Sequence, residues 1–344
     1  MDSMQYVGMD IHKKTISYCV KLADGTIVKE GVLPATRAAL DCWTTGLRGA
    51  WIAAMEATLF TSWVYEHLKP HAQEVKVAHP GMLKAIAASK RKNDQVDARH
   101  IADLLRCNLL PECYMAPLEI RELRRTLRYR NLLVRQITQT KNKVSGLLME
   151  AGVEYNKQKL HQKKYFRELV MTGEDVPKSL APLLRLSRMT LDTFGKTEKE
   201  LLKSIRKDPL LEERVNRLLT IPAVGPVTAL TWALEIGEVK RFGNCKQAVS
   251  YCGLCGSENS SAGQQKRMPI SKQRNSHLQT VLIEAAKLAP RYDSELARLH
   301  AIELEKGNRN RATLAVARKL VAWLLGVDRR QEGFRKETET GRAA

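Results

Sequence analysis

The order of predicted strands and helices over the first hundred residues constrains the fold of this chain more than any other feature. Short apolar or alternating segments predict five strands, at residues 6–12, 15–21, 27–32, 51–57 and 75–79. Helical patterns follow the third, fourth and fifth of these strands, so the order is β-β-β-α-β-α-β-α. This order predicts a mixed α/β sheet, in which ligands collect at strand ends near a switch in strand order.

Four acidic residues lie where such a sheet would bring them into one cleft. Asp10 is near the end of the first predicted strand, and Glu56 is near the end of the fourth. Asp94 and Asp97 open an amphipathic helix and share one face of it, because they are three residues apart. Singly, each acid is explained by a helix cap or a strand-end turn. Together, they predict an oxygen-rich site for Mg²⁺ or Mn²⁺, ions that serve phosphodiester chemistry.

The charge of the chain predicts a polyanionic partner. Its 57 Lys and Arg residues outnumber 37 Asp and Glu residues, which gives a formal net charge of +20 at pH 7. Nucleic-acid backbones are the commonest partner for such a charge.

The sequence contains no apolar run of about 20 residues and no signal-peptide pattern at its start, so we expect a cytoplasmic protein with no membrane partner. Seven scattered cysteines predict no disulfide framework.

A long basic helix is predicted after residue 117. Residues 121–167 include thirteen basic residues and only three acidic ones, and leucines recur at helical spacing. Phosphate contact explains so one-sided a charge better than an ordinary solvated helix face does. The predicted nucleic-acid contacts on this helix are Arg124, Arg125, Arg128, Lys141 and Lys143. A second helical stretch at 180–207 is expected to pair with it, as a hairpin or as a coiled coil between subunits.

A helix, a tight Pro/Gly turn and a second helix are predicted over residues 218–229. This is the pattern of a helix-hairpin-helix, in which backbone N–H groups hold a DNA phosphate. Gly225 is the predicted contact residue in the turn. An ordinary helical corner is the alternative interpretation.

Farther on, a loop of small residues contains the adjacent pair Ser260 and Ser261. Four basic residues follow this pair, Lys266, Arg267, Lys272 and Arg274. A serine oxygen is a poor nucleophile unless it is activated and the charge on its target is neutralised. We therefore expect the basic residues to bind a scissile phosphate beside the serines. The alternative is a flexible Gly/Ser loop with solvated lysines.

Seven segments, taken in order, resemble one family, the insertion-sequence transposases of the DEDD class, often called the IS-one-ten family. They cover most of the chain and are GMDIHKKT, MEAT, NDQVDAR, IPAVGPVTA, RFGNCKQAVSYCGL, SENSSAG and ISKQRNSHL. Members of that family include recombinases guided by a bridge RNA. Each segment alone is weak, but the set in this order is highly specific.

The resemblance implies an α/β plus α architecture. Its parts would be a RuvC-like RNase H domain at 1–115, a basic helical and coiled-coil region at 116–210, a mainly helical transposase domain with a helix-hairpin-helix at 211–330, and a flexible tail at 331–344. It also implies that Asp10, Glu56, Asp94 and Asp97 are the metal ligands, with Mg²⁺ or Mn²⁺ as the cofactor.

The resemblance further implies a DNA recombinase whose serine forms a covalent link to DNA. It places the nucleophile at Ser261, but Ser260 stays open because the family usually has Ser-Gly there, whereas this chain has Ser-Ser-Ala-Gly. The implied partners are target and donor DNA, a structured non-coding guide RNA and further copies of the chain, as a dimer or tetramer, at the bacterial nucleoid. Two alternatives stay open: a RuvC-like junction nuclease that uses metal-activated water, and a non-catalytic nucleic-acid-binding scaffold.

Overall fold

The structure is a computed structural model, and it describes residues 4–86, 93–172, 175–258, 267–270 and 272–335. The chain divides into two compact units, Met1–Met115 and Ala116–Ala344. The finer division predicted at residues 210 and 330 stays a prediction. Across the described ranges, no helix combines the length and apolar character needed to cross a membrane.

A five-stranded sheet forms the centre of the first unit. Its strands are β1 (Gln5–Ile11), β2 (Thr15–Lys21), β3 (Ile27–Pro34), β4 (Trp51–Glu56) and β5 (Glu74–Ala78), in the spatial order β3-β2-β1-β4-β5. The first three strands pair antiparallel, whereas β4 runs parallel to both β1 and β5. The predicted mixed α/β class is confirmed. From β1 the chain continues to β2 on one side, and it later returns to the other side of β1 as β4. This reversal creates a switch point in strand order, where ligands collect.

Four helices flank this sheet in the described part of the first unit, and they follow the predicted order, with two helices after β5. They are α1 (Arg37–Thr45), α2 (Thr61–Leu68), α3 (Pro80–Ile86) and α4 (Asp94–Arg106). Trp43 of α1 and Trp51 of β4 are buried in edge-to-face contact in the main core. The helix α4 buries Ala98, Ile101 and Leu105 where it packs against β1 and β2.

Two ion pairs also fasten α4 to the sheet. Lys21 Nζ lies 2.6 Å from Asp103 Oδ2, and the Arg99 guanidinium donates two hydrogen bonds to Glu30 at 2.7 and 2.6 Å. The lysine side chain is only 9% exposed, so this charge pair lies between the helix and the sheet. Apolar packing and paired charges therefore both fix the helix whose first turn carries Asp94.

The second unit is mainly helical. Its helices are α5 (Leu118–Glu150), α6 (Lys163–Thr172), α7 (Ala181–Arg206), α8 (Pro209–Leu218), α9 (Pro226–Ile236), α10 (Cys245–Tyr251), α11 (Ser276–Leu288), α12 (Ser294–Glu305) and α13 (Arg309–Arg330). The predicted long helix is confirmed as α5, but the basic stretch is not helical throughout: α5 ends at Glu150, and the last basic residues lie in or near α6. Within the chain α5 packs along α7, and Arg130 Nε donates to Glu198 at 2.6 Å. Of the two pairings predicted for the second helical stretch, the hairpin is present, and the contact between subunits stays a prediction.

The core of the second unit surrounds Trp232 of α9, which is fully buried. Its indole Nε1 donates to Asp328 of α13 at 3.0 Å, and Arg214 of α8 donates to the same carboxylate at 2.8 and 2.5 Å. This buried charge cluster joins three helices. The apolar pattern of α12 is too weak to predict this helix, because it fully buries only Leu296.

Candidate metal centre and nucleic-acid interface

Asp10 and Glu56 lie side by side along the sheet because their strands are parallel neighbours. Met9 of β1 pairs with Met55 of β4, and Asp10 and Glu56 are the next residues on these strands. Both acids therefore lie at the same edge, where the parallel strands end. The backbone carbonyl of Glu56 accepts a hydrogen bond from Thr61 Oγ1 at 2.7 Å, which fixes the start of α2.

Asp94 and Asp97 occupy the first turn of α4. The side chain of Asn93 caps this helix by accepting a hydrogen bond from the Gln95 N–H at 3.0 Å. The N-terminal end of a helix favours negative charge, because its first N–H groups have no partner within the helix. A stable helix start therefore holds two carboxylates together.

His12 brings the strand acid and the helix acid together. Its Nε2 atom lies 3.1 Å from Asp10 Oδ2 and 3.4 Å from Asp94 Oδ2. Within the described ranges, one group of at least three donor residues has all its donor atoms within 4.8 Å of one another, and it consists of Asp10, His12 and Asp94. Glu56 and Asp97 do not belong to this close group.

His12 was not among the predicted site residues. A signal was present, because residues two apart on a strand lie on the same face, and His12 is two residues beyond Asp10. The short turn between β1 and β2 holds it there, since the His12 N–H donates to the Thr15 carbonyl at 2.9 Å.

Electrostatics at this edge oppose a negative charge on Asp10, which is 8% exposed. Burial raises the pKa of the Asp10 carboxyl. His12 opposes this effect, while the nearby carboxylates of Asp94 and Asp97 raise the pKa further. A cation at this edge would relieve the repulsion among the carboxylates.

The donor set fits a divalent cation. Carboxylate oxygens from Asp10 and Asp94 suit hard ions such as Mg²⁺ and Mn²⁺, and an imidazole nitrogen suits transition ions. Asp10 is buried, whereas His12 and Asp94 have side chains 52% and 54% exposed. One side of the group is therefore anchored in the fold, and the other is open to solvent and to a substrate.

Two of the predicted nucleic-acid contacts on α5 bind partners within the protein, although the Arg128 side chain is partly exposed. Arg124 donates to the Leu234 carbonyl from Nε and from a terminal nitrogen, at 2.9 and 2.7 Å. Arg128 donates two hydrogen bonds, at 2.7 and 2.8 Å, to Glu235, which is 1% exposed. Burial acts to raise the pKa of Glu235, but Arg128 and Asn275 hold that pKa below its ordinary value. These arginines therefore fasten α5 to the core.

Other predicted contacts are open to solvent. Arg125, Lys141 and Lys143 on α5 are exposed. Gly225 is exposed as well and is the N-cap of α9, with no atom within 4 Å of the position that a Cβ would occupy. The turn between α8 and α9 thus presents backbone to solvent, as phosphate binding by a helix-hairpin-helix requires.

Comparison with known protein families identifies two segments of the chain. Residues 7–152 match the family of DEDD transposases of IS110, and residues 215–301 match the transposase IS116/IS110/IS902 family. The first match includes all four predicted carboxylates, and the second includes the paired serines. The chain belongs to the IS110/IS116 family of transposases.

Curated relatives of this transposase carry the same activity in their names. The transposase for insertion sequence element IS1111A of Coxiella burnetii is 27% identical over 256 residues, which cover 71% of this chain and 68% of that protein. A probable family 20 transposase of Pseudomonas aeruginosa is 27% identical, with 70% and 71% covered. The transposase for IS1328 of Yersinia enterocolitica is 24% identical, with 80% and 83% covered. The chain is accordingly a DNA transposase.

The serine segment of this transposase lies largely outside the described residues. That region contains Ser260, Ser261 and Lys266. On either side, β6 (Gly256–Glu258) and β7 (Arg267–Ile270) pair antiparallel. Lys272 and Arg274 follow β7 and are exposed. The residues just before β6 are anchored to the core by two hydrogen bonds. The Gly253 carbonyl accepts one from Gln279 Nε2 at 2.6 Å, and the Leu254 carbonyl accepts one from Arg318 Nε at 2.8 Å.

Proposed function

We propose that this transposase cleaves and rejoins DNA strands with a serine nucleophile, assisted by a divalent cation. The cation would be held by Asp10, Glu56, Asp94 and Asp97, and the nucleophile would be Ser261 or Ser260. The observation that carries the proposal is the convergence of Asp10 and Asp94 on one imidazole, from a strand and a helix 84 residues apart along the chain. A structural salt bridge would need only one of these acids.

The carboxylates have a defined task in this chemistry. A phosphodiester already carries negative charge, so a site that binds it must offset the charge of its own acids. When bound, a divalent cation supplies positive charge that polarises a phosphoryl oxygen. Asp10 lies in β1, and Asp94 lies in the capped first turn of α4, so the backbone that carries both acids is ordered before DNA arrives.

The serine step conserves the number of phosphodiester bonds. The serine Oγ forms a bond to phosphorus and gives up its proton, while the bond from phosphorus to one deoxyribose oxygen breaks and that oxygen leaves as a hydroxyl. The reverse reaction, with a hydroxyl from another strand, rejoins DNA and releases the serine. Exposed Lys272 and Arg274, with Lys266 and Arg267 nearby in sequence, would neutralise the phosphate charge during the attack.

A structured non-coding RNA would supply the sequence recognition. Base pairing can select target and donor sites while the protein contacts backbones and RNA shape. Two observations support backbone contact by the protein: its formal net charge of +20 and the exposed residues Arg125, Lys141 and Lys143 on α5. We further propose that the chain acts as a homo-oligomer, a dimer or tetramer, at the bacterial nucleoid, where its DNA substrates lie.

A covalent-adduct assay tests the proposal. Cells carrying the intact insertion element, and therefore any required RNA, are lysed in SDS and probed for DNA linked to the protein. The variants are Ser260→Ala, Ser261→Ala and Asp10→Asn. Ser276→Ala is the matched control, since Ser276 is an exposed serine in the first turn of α11. We expect the adduct to vanish in Asp10→Asn and in one of the two serine variants, and to persist in the control.

The same assay distinguishes the junction nuclease. Cleaved DNA without an adduct, with normal cutting by both serine variants, would identify water as the nucleophile. If DNA is bound but never cut, whatever residue is changed, the protein is a scaffold. RNA that co-purifies with wild type, and is lost after Lys141 and Lys143 are both replaced by alanine, would support the guide-RNA part of the proposal.

A further inference from the structure

His12 stands between two proposed metal ligands without belonging to the carboxylate set. Resting on the proposed function, we infer that His12 is a nitrogen ligand of the same cation. We also infer that it biases the site toward first-row transition ions such as Mn²⁺, at the expense of Mg²⁺. This inference concerns the identity of the ion, whereas the proposed function requires only that the carboxylates bind one.

The spacing of the three donor atoms suits a single octahedral ion. Ligands about 2.1 Å from such an ion, in adjacent positions, lie about 3.0 Å from one another. The Nε2 atom of His12 lies 3.1 Å from Asp10 Oδ2 and 3.4 Å from Asp94 Oδ2. The same nitrogen is close to both carboxylates, and all three donor atoms lie within 4.8 Å of one another, so a single ion can bind all three.

The backbone around each donor is already fixed. Asp10 lies in β1 between paired neighbours, and His12 is held by the hydrogen bond from its N–H to the Thr15 carbonyl. The Asp94 end of α4 is held by the Asn93 cap, and the Asn93 carbonyl accepts from the Asp97 N–H at 3.0 Å. The backbone that carries each donor is therefore held in place by hydrogen bonds within the protein.

A nitrogen donor changes which ion is preferred. Mg²⁺ is a hard ion that keeps oxygen ligands and dehydrates reluctantly, whereas transition ions bind imidazole well. In a site made only of carboxylates, Mg²⁺ would prevail by abundance. An imidazole at this position shifts the balance toward a transition ion.

The competing explanation is that His12 is only an ionic partner of the two acids. A protonated imidazole between two carboxylates would show similar distances in the absence of a metal. The two explanations differ once an ion binds, because a ligand nitrogen couples magnetically to Mn²⁺, whereas a displaced ionic partner does not.

Pulsed electron paramagnetic resonance of Mn²⁺ makes this distinction. The full-length chain is prepared without a histidine tag, stripped of metal and titrated with Mn²⁺ alone. We expect nitrogen coupling in the wild-type spectrum, a change in that coupling when histidine is labelled with ¹⁵N, and its loss in His12→Gln. His71→Gln is the matched control, because His71 is an exposed histidine in the same unit. It should keep the wild-type spectrum.

Ion competition supplies a second readout. We expect wild type to bind Mn²⁺ roughly tenfold or more tightly than Mg²⁺, and His12→Gln to lose most of this preference. Circular dichroism of each variant confirms that it is folded, so a loss of preference cannot come from unfolding.

The outcomes separate this inference from the proposed function. Suppose that wild type binds Mn²⁺, that Asp10→Asn does not, and that the wild-type spectrum shows no nitrogen coupling. This result would overturn the role of His12 and leave the carboxylate site intact. If Asp10→Asn binds Mn²⁺ as well as wild type does, the carboxylate site itself is wrong, and the inference fails with it.

Discussion

The backbone of Gly8 in β1 lies directly against the backbone of Ala98 in α4. A Cβ on Gly8 would stand 2.1 Å from the Ala98 carbonyl oxygen and 2.4 Å from the Ala102 nitrogen. Only glycine permits so close an approach of strand and helix. Because Asp10 follows Gly8 by two residues and Asp94 is one turn before Ala98, this contact also sets the distance between the two acids.

Replacing Gly8 with alanine should therefore move α4 away from β1. We expect Gly8→Ala to reduce the free energy of unfolding by roughly 1–3 kcal/mol, as overpacking of a core does. It should also weaken Mn²⁺ binding, because Asp10 and Asp94 would separate. Chemical denaturation and Mn²⁺ titration measure the two effects. Gly195→Ala in α7 is the control, since a Cβ there meets nothing within 4 Å and should stabilise by about 1 kcal/mol.

The Lys21–Asp103 ion pair predicts a pH-dependent contribution to stability. Burial acts to raise the pKa of Asp103, but hydrogen bonds from Lys21 and Arg106 hold that pKa below its ordinary value. A carboxyl with a lowered folded pKa stabilises above its unfolded pKa, about 3.9, and loses this contribution as the pH falls through the folded pKa. Asp103→Asn should therefore be less stable than wild type at neutral pH, and the difference should shrink below about pH 4.

Thermal unfolding across this pH range checks the expectation. At neutral pH, we expect the substitution to cost about 1–2 kcal/mol, since the buried ammonium of Lys21 loses its charged partner. Glu305→Gln, a change at an exposed acid of α12, should show little difference at any pH. A constant deficit of Asp103→Asn from neutral to acidic pH would contradict the lowered pKa.

The basic residues of α5 should divide into two classes. Arg124→Ala should destabilise the protein by about 1–3 kcal/mol, because the Leu234 carbonyl would lose both of its guanidinium donors. Lys141→Ala and Lys143→Ala should leave the melting temperature unchanged. Each should weaken binding to a fluorescent DNA duplex and lower the salt slope of log affinity by about 1. Equal salt slopes in wild type and both lysine variants would exclude phosphate contact at these positions.

The cysteines should differ sharply in reactivity. Burial, reinforced by nearby Cys245, raises the pKa of the Cys252 thiol to about 12, and this side chain is fully buried. Cys42 and Cys107 are exposed. Because the thiolate is the reactive form, iodoacetamide at about pH 8 should modify Cys42 and Cys107 in the folded protein and Cys252 only after denaturation. Peptide mass spectrometry measures the order, and early labelling of Cys252 would show that its environment is open.

Much of the fold could be predicted from local sequence signals. Periods of two and 3.6 residues identified the strands β1 to β5 and the long helix α5, because these patterns depend only on near neighbours along the chain. The same signals located Asp10 at a strand end and Asp94 at a helix start. The weak pattern of α12 was missed, since a helix that fully buries one residue carries little periodicity.

The partners of the charged side chains came from tertiary structure alone. Arg128 meets Glu235 across 107 positions of sequence, and Lys21 meets Asp103 across 82. No local pattern encodes such pairs, so an arginine that joins two helices looks the same in sequence as one that faces a phosphate. Sequence spacing places His12 near Asp10, but its contact with Asp94 arises only when α4 packs onto Gly8. Local periodicity determined the elements, and the long-range packing of backbone and charge determined the site.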